Sequence, residues 1–151
     1  MKNLSLRATV ILVSVAFLAS CFTPRAAIAT PDGFSPYTGK GDVRLISPEG
    51  MRMRVRIEEN EPSQSLDFWA TALRGHMTDA GYTLVDHGTV SAAGGVWFEW
   101  VAPVHGEDWI YLTALRVSGN HIVVVESAAV EALYRTYRPA LHAALPTAQV
   151  R

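Results

Sequence analysis

Three consecutive segments of this 151-residue chain are apolar on both sides of an extended backbone. They read GVWFEWVAP (residues 95–103), DWIYLTALRV (108–117) and HIVVVES (121–127). In the second segment both alternating sets are largely apolar, namely Trp109, Tyr111, Leu115 and Val117 on one face and Ile110, Leu112 and Ala114 on the other. Such strands belong in the middle of a sheet that is covered on both sides. The Ser-Gly-Asn turn after the second segment predicts a tight hairpin, so we expect these two neighbours to be antiparallel.

Two predicted helices supply the cover for this sheet. The first begins after Pro62, stops at Gly81 and carries apolar residues at steps of three and four: Leu66, Trp69, Leu73, Met77 and Ala80. The second spans residues 128–146, and Pro139 predicts a kink or a break into two short helices near Tyr137 and Arg138. The fold class is therefore α+β, with an antiparallel sheet flanked by two helices in an α/β/α sandwich.

The N-terminus has the form of an export signal. Lys2 and Arg7 precede the apolar run ATVILVSVAFLA (8–19), which falls short of the roughly 20 residues that a membrane-spanning helix needs. Leu18-Ala19-Ser20-Cys21 then resembles the bacterial lipobox, in which a cysteine accepts a diacylglyceryl group. Cys21 is the only cysteine of the chain. We therefore expect lipidation at Cys21 and a stable anchor of two or three acyl chains, palmitate among them.

A second cleavage site competes with the lipobox. Ala27-Ile28-Ala29 fits the small-x-small pattern of ordinary signal peptidase and would release a soluble chain that starts at Thr30. The lipobox is favoured because it directly follows the apolar run, whereas the alternative lies beyond Pro24 and Arg25. Phe22, rather than aspartate, follows the cysteine, which favours the periplasmic side of the outer membrane in bacteria that obey the aspartate-retention rule.

These features divide the chain into four parts. Residues 1–20 are predicted to be a lipoprotein signal peptide, and residues 21–41, rich in Pro, Gly, Ser and Thr, a flexible tether. Residues 42–147 form a single α+β domain, and residues 148–151 a tail.

The order of elements resembles the PsbP/Mog1-like superfamily, which includes small bacterial lipoproteins of the DcrB and LpqN type. The resemblance rests on the SPEG turn (47–50), the helix SLDFWATALRGHMTDAGY (65–82), the strand VWFEWVA (96–102) before a hairpin, and the closing helix YRPALHAAL (137–145). It covers residues 42–146, and Met51 departs from the tryptophan that many members have after the turn. The resemblance implies an accessory or binding subunit rather than an enzyme and brings no catalytic constellation with it.

Composition and motifs exclude several functions. A net charge of −1 gives no electrostatic basis for nucleic-acid binding. One cysteine allows neither an internal disulfide nor a cysteine-based zinc site. No G-x-S-x-G or H-E-x-x-H motif occurs, so we predict no cofactor and no metal site. The loop residues His105, Glu107 and Asp108 are the densest polar cluster, and they form either an ordinary hairpin loop or the site of a small hydrolase.

Two features are candidates for binding. The strand MRMRVRIE (51–58) alternates strictly and places Arg52, Arg54 and Arg56 on one face, where they form either a solvated surface or a site for an anion, an acidic partner or lipid headgroups. Trp109 beside His105 marks where we expect a pocket, if the domain has one. Trp97 and Trp100 are an odd number of residues apart and so point to opposite faces, which favours core packing.

The sequence therefore predicts a non-catalytic envelope lipoprotein, held in the lipid bilayer through acylated Cys21 and bound to an envelope protein as an accessory subunit. The alternative is a periplasmic protein that binds a small ligand or inhibits a toxin.

Overall fold

The three doubly apolar segments lie side by side in a seven-stranded antiparallel sheet. A computed structural model of the chain describes residues 23–38, 42–102, 104 and 106–151. Within these residues the elements are β1 (Ala26–Ala27), β2 (Ser35–Pro36), β3 (Val43–Ile46), β4 (Arg52–Glu59), α1 (Leu66–Asp79), β5 (Thr83–Val90), β6 (Gly95–Val101), β7 (Trp109–Ser118), β8 (His121–Val130), α2 (Glu131–Ala144) and β9 (Gln149–Val150). The strand order in the large sheet is β2-β3-β4-β8-β7-β6-β5, and β1 pairs separately with β9. The predicted hairpin between β7 and β8 is confirmed, and Ser118 pairs with His121 across its turn.

The two helices cover opposite faces of the sheet, which confirms the α+β class. On one side, the α1 face, Met77 packs against Phe98 and Trp100 of β6. On the other side, the α2 face, Tyr134 and Leu141 join the main hydrophobic core with alternate residues of β4, β7 and β8. Each central strand thus buries both of its sets of side chains, as its apolar pattern requires.

The ends of α1 follow the local sequence. The hydroxyl of Ser65 caps the helix by accepting a hydrogen bond from the amide of Phe68 at 3.2 Å. Gly81, at φ +88°, follows the last turn and ends the helix as predicted. By contrast, α2 continues through Pro139, so a break there is not found. The buried side chains Tyr134 and Leu141 hold the helix against the sheet on either side of the proline and offset the hydrogen bond that it lacks.

Two segments that the sequence places outside the domain contribute to the fold. The sequence predicts a flexible tether over residues 21–41, of which the structure describes 23–38, yet in that part Ala26–Ala27 pairs with Gln149–Val150 and Phe34 is 7% exposed. The ring of Phe34 meets that of Tyr137 edge-on at 5.1 Å between centroids. Residues 148–151 were predicted to be a tail and instead supply β9. Two-residue strands carry no periodic pattern, so the sequence gives no sign of them.

Part of the α1 face stays open. The helix contacts β5 and β7, and its apolar side chains reach the end of β8, but β4 lies to one side of it. On β4 the residues Met53 and Val55 are buried, whereas Arg52 and Arg54 are exposed on the open face. The prediction that only one face of this strand is buried is therefore confirmed. In the part of the chain that the structure describes, no helix is long and apolar enough to cross a bilayer.

Candidate functional site

The strand register brings Arg52 and Trp109 to the same open part of the α1 face. Arg52 of β4 pairs with Ala128 of β8, and Ala128 pairs with Tyr111 of β7. Trp109 lies two residues before Tyr111 and therefore points to the same side. These side chains, with Arg54 and Tyr37, line a shallow concavity of about 550 Å³, which we call the arginine–aromatic surface. Trp109 is 37% exposed, which is unusual for a tryptophan in a central strand.

The predicted row of arginines is not uniform. Arg56 donates from Nε to Glu126 at 3.2 Å and also pairs with Glu58, so both of its ion pairs lie within the sheet. Arg54 binds the carboxylate of Asp42 with Nε and Nη2, each at 2.8 Å, and remains half exposed. Arg52 forms no ion pair with any described residue. Arg52 is therefore the guanidinium of this row most available to a partner.

The floor of the surface is a fixed hydrogen-bond network. The hydroxyl of Tyr111 donates to Glu126 Oε1 at 2.7 Å, and Arg56 holds the other oxygen of the same carboxylate. Burial and this bond to an anion raise the pKa of Tyr111 well above its ordinary value, so the phenol keeps its proton. The surface thus has a hydrogen-bonded tyrosine at its floor and arginine side chains at its edge.

The other predicted site residues give no further part of this surface among the described residues. Cys21 and His105 lie outside those residues. Asp108 lies next to Trp109 in sequence but lines a cavity on the α2 face, because successive residues of an extended chain point to opposite sides. Among the described residues, no three His, Cys, Asp or Glu side chains are grouped closely enough to hold a metal ion.

The tryptophans of β6 lie on opposite faces, as predicted. Trp100 is fully buried on the α1 face, where its indole N–H donates to Thr113 at 3.0 Å. Trp97 lies on the α2 face, with its ring edge-on to His142 at 4.5 Å and the guanidinium of Arg138 at 5.7 Å from its centre. Trp100 is a core residue, whereas Trp97 belongs to a second polar site that the sequence reasoning missed.

The second site is centred on Glu99, a carboxylate that is 5% exposed in the middle of β6. Its Oε1 accepts hydrogen bonds from the hydroxyl of Tyr134 at 2.6 Å and from Nε of Arg138 at 2.8 Å. Nε2 of His142 lies 2.7 Å from the same oxygen. The three partners are spaced four residues apart on α2 and so form one stripe along the helix. Arg138 also reaches Asp86 on the edge strand β5 at 2.8 Å.

These contacts keep Glu99 ionised. Burial alone would raise its pKa, but the hydrogen bonds from His142, Arg138 and Tyr134 together lower the pKa to about 2. An ionised carboxylate only accepts hydrogen bonds, so Nε2 of His142 carries a proton. Burial and the neighbouring anion also raise the pKa of Tyr134, which stays a donor.

A cavity of about 420 Å³ lies beside this cluster, between α2 and the ends of β5, β6 and β7. The sequence held two signs of it: a lone glutamate between aromatic residues in an otherwise apolar strand, and the four-residue spacing of Tyr134, Arg138 and His142. A histidine on a helix usually lies at the surface, so His142 alone does not indicate a buried carboxylate partner. The four-residue spacing is hard to recognise because apolar residues of the helix lie between these three positions.

Comparison with known proteins defines the fold further. No model of a known protein family matches the chain, and no curated protein matches its sequence. Two solved structures match with TM-scores of 0.56. LpqN of Mycobacterium tuberculosis, described as involved in cell envelope biogenesis, is 9% identical, and the match covers 85% of this chain and 84% of LpqN. The cyanobacterial PsbP (CyanoP) of Synechocystis is 12% identical, and the match covers 95% of this chain and 98% of that protein.

The chain has a PsbP-like fold. The expected likeness to the LpqN type is therefore confirmed at the level of the fold. Identities of 9% and 12% transfer no residue roles, so the PsbP-like fold fixes where the two sites lie and not what they bind.

Proposed function

We propose that this protein is a membrane-tethered, non-catalytic envelope protein that binds an envelope partner through the arginine–aromatic surface. The observation that carries the proposal is the register that places Arg52, Arg54 and Trp109 together on the part of the sheet that α1 leaves open. Exposed tryptophan and arginine are the residues that contribute most at protein interfaces. The open arginines favour a partner with acidic residues.

The N-terminal strand supports a tether at Cys21. Cleavage after Ala29 would remove Ala26–Ala27 and with it the pairing to β9. It would also remove Ile28, which packs against the main core. Cleavage before Cys21 keeps all of these contacts. The folded domain thus favours the lipobox over the competing site, and a protein with a similar fold, LpqN, is described as involved in cell envelope biogenesis.

The fold also sets the geometry of a tethered domain. Five peptide units join Cys21 to Ala26, and even a fully extended chain of that length spans only about 17 Å. The domain would therefore lie close to the bilayer. Because β1 packs on the α2 face and the arginine–aromatic surface is on the α1 face, the tether does not occupy the proposed binding surface.

Charge reversal on the open surface tests the proposal. We expect Arg52→Glu with Trp109→Ala to abolish co-purification of the partner from membranes of the native host, because both contacts of the surface are lost. Arg52→Glu alone should weaken co-purification and unfold thermally close to the wild type, since Arg52 is exposed and forms no ion pair with the described residues, so this single variant separates loss of the partner from loss of stability.

The matched control is Arg74→Glu, which reverses one exposed charge on α1. This control should retain the partner. An unchanged set of co-purifying proteins in the double variant would refute the proposed surface. If Arg74→Glu lost the partner to the same extent, the loss would be due to the change in net charge alone.

A further inference from the structure

The cavity beside Glu99 is independent of the proposed partner surface, since it lies on the opposite face of the sheet. Its volume of about 420 Å³ is within the range of small-molecule sites. One wall is apolar and consists of Val85, Val101 and Ile110 from β5, β6 and β7. The cavity therefore has room and apolar surface for the body of a small organic molecule.

The polar part of the lining has an excess of negative charge. Four carboxylates line the cavity: Asp86, Glu99, Asp108 and Glu131. The two guanidinium groups in the lining are already engaged, Arg138 by Glu99 and Asp86 and Arg135 by Glu131. The carboxylate of Asp108 forms no ion pair with the described residues. An entering molecule therefore meets four carboxylates against two guanidinium groups next to an apolar wall, with Asp108 free of an ion pair to the described residues.

The placement of Glu99 also favours a binding site for a cation. All three of its side-chain contacts go to Oε1, so among the described residues Oε2 is left without a hydrogen-bond donor. A buried ion network is an inefficient way to hold a helix on a sheet, since apolar residues of similar volume often stabilise as much or more. The rigid buried carboxylate is what a ligand site needs, because its donors fix it before the ligand arrives.

The register separates Glu99 from Asp108 along the strands, since Glu99 pairs with Leu112, which follows Asp108 by four residues. Among the described residues, no three ligating side chains converge as a metal ion requires. Carboxylates spread around an apolar wall instead fit positive groups that are separated by a short aliphatic chain. We propose that this cavity binds a small aliphatic diamine, with one ammonium group at Glu99 and the other at Asp108.

A titration with 1,5-diaminopentane tests this proposal on the folded domain. Two molecules of the same length serve as comparisons: 1,5-pentanediol, which is neutral, and glutarate, which is anionic. We expect saturable binding of the diamine by calorimetry, with a Kd of about 1 mM or tighter, and none of the other two. In amide NMR spectra the resonances of Val101 and Ile110 should shift, whereas that of Arg52 should not.

Two variants locate the ammonium groups. Glu99→Gln and Asp108→Asn should each weaken diamine binding about tenfold, the loss of one charge-assisted hydrogen bond. Asp108 is exposed and takes no part in the Glu99 network, so its variant keeps the test valid even if Glu99→Gln fails to fold. Asp79→Asn, an exposed position on α1, is the control of equal charge and should bind as the wild type does.

Three results would overturn the diamine site: no saturation by the diamine in the millimolar range, equal binding of glutarate or pentanediol, or equal weakening by Asp79→Asn and Asp108→Asn. The last would show attraction to the net charge of the domain only. None of them bears on the arginine–aromatic surface, whose test uses different residues and a different readout.

Discussion

The hydroxyl of Tyr134 lies 2.6 Å from Oε1 of Glu99, and this bond joins the first turn of α2 to the middle of strand β6. Tyr134 is 1% exposed and Glu99 is 5% exposed, so neither group has a ready replacement partner in water. Arg138 and His142 reach the same oxygen from the next two turns of the helix. One carboxylate thus fixes both the position of α2 on the sheet and the rotation of the helix about its own axis.

Removal of this hydroxyl should destabilise the domain without disturbing its shape. We expect Tyr134→Phe to lower the free energy of unfolding by about 1–2 kcal/mol, because the ring still fills its place while the carboxylate loses one donor. Urea denaturation measures the change. Thr136→Val, which alters an exposed hydroxyl on the same helix, is the control and should change stability far less. Equal stability of Tyr134→Phe and wild type would contradict a structural role for the bond.

The lowered pKa of Glu99 predicts a specific dependence of stability on pH. In the folded state the carboxyl titrates near pH 2, and in the unfolded state near its ordinary value of 4.5, so the unfolded chain binds more protons between these limits. Stability from this group is therefore fully present above about pH 4.5 and is lost as the pH falls toward 2. The shift corresponds to up to about 3 kcal/mol.

Comparison with Glu99→Gln isolates that contribution. The variant has no carboxyl at this position, so its free energy of unfolding should change less than that of the wild type between pH 4.5 and 2. Urea midpoints measured across this interval check the difference. Parallel curves for the two proteins would show that other carboxyl groups carry the acid sensitivity.

Phe34 provides a test of the corrected N-terminal boundary. A flexible tether would tolerate its loss, whereas the structure buries its ring against Tyr137 and the main core. We expect Phe34→Ala to lower the free energy of unfolding by about 3–5 kcal/mol, the usual effect of removing a buried phenyl ring. Thr23→Ala, at an exposed position of the same segment, should leave stability unchanged. A denaturation midpoint equal to that of the wild type would restore the tether interpretation.

The parts of the fold that the sequence predicts are those whose pattern repeats along the chain. Apolar residues on both sides of β7 and β8 require a covered sheet, and the alternation in β4 requires one solvated face. Both inferences need only neighbouring residues. The odd separation of Trp97 and Trp100 likewise suffices to place them on opposite faces.

The parts that the sequence does not reveal depend on distant partners. Glu99 and His142 are 43 residues apart, and only the packing of α2 across β6 brings them together. The pairing of Ala26–Ala27 with Gln149–Val150 joins segments that are more than 120 residues apart over two residues each, too short for any periodic signal. Trp109 and Arg52 line the same surface because β8 pairs with both of their strands, β7 and β4. Neither segment's sequence predicts that strand order.

Cys21 provides the remaining test, since acylation at this residue would tether the domain to a membrane. We expect native mass spectrometry of protein extracted from host membranes to give a chain that starts at Cys21 and carries acyl groups. The physical reason is that a chain starting at Thr30 lacks β1 and loses its pairing with β9, so it should also unfold at a lower denaturant concentration than a chain that starts at Phe22. Cys21→Ser should abolish acylation and leave the protein uncleaved at the lipobox.

An unacylated chain that starts at Thr30 in the soluble fraction would contradict the tether. The arginine–aromatic surface would then belong to a free periplasmic protein, because the pairing of β4, β8 and β7 that builds it does not involve residues 21–29.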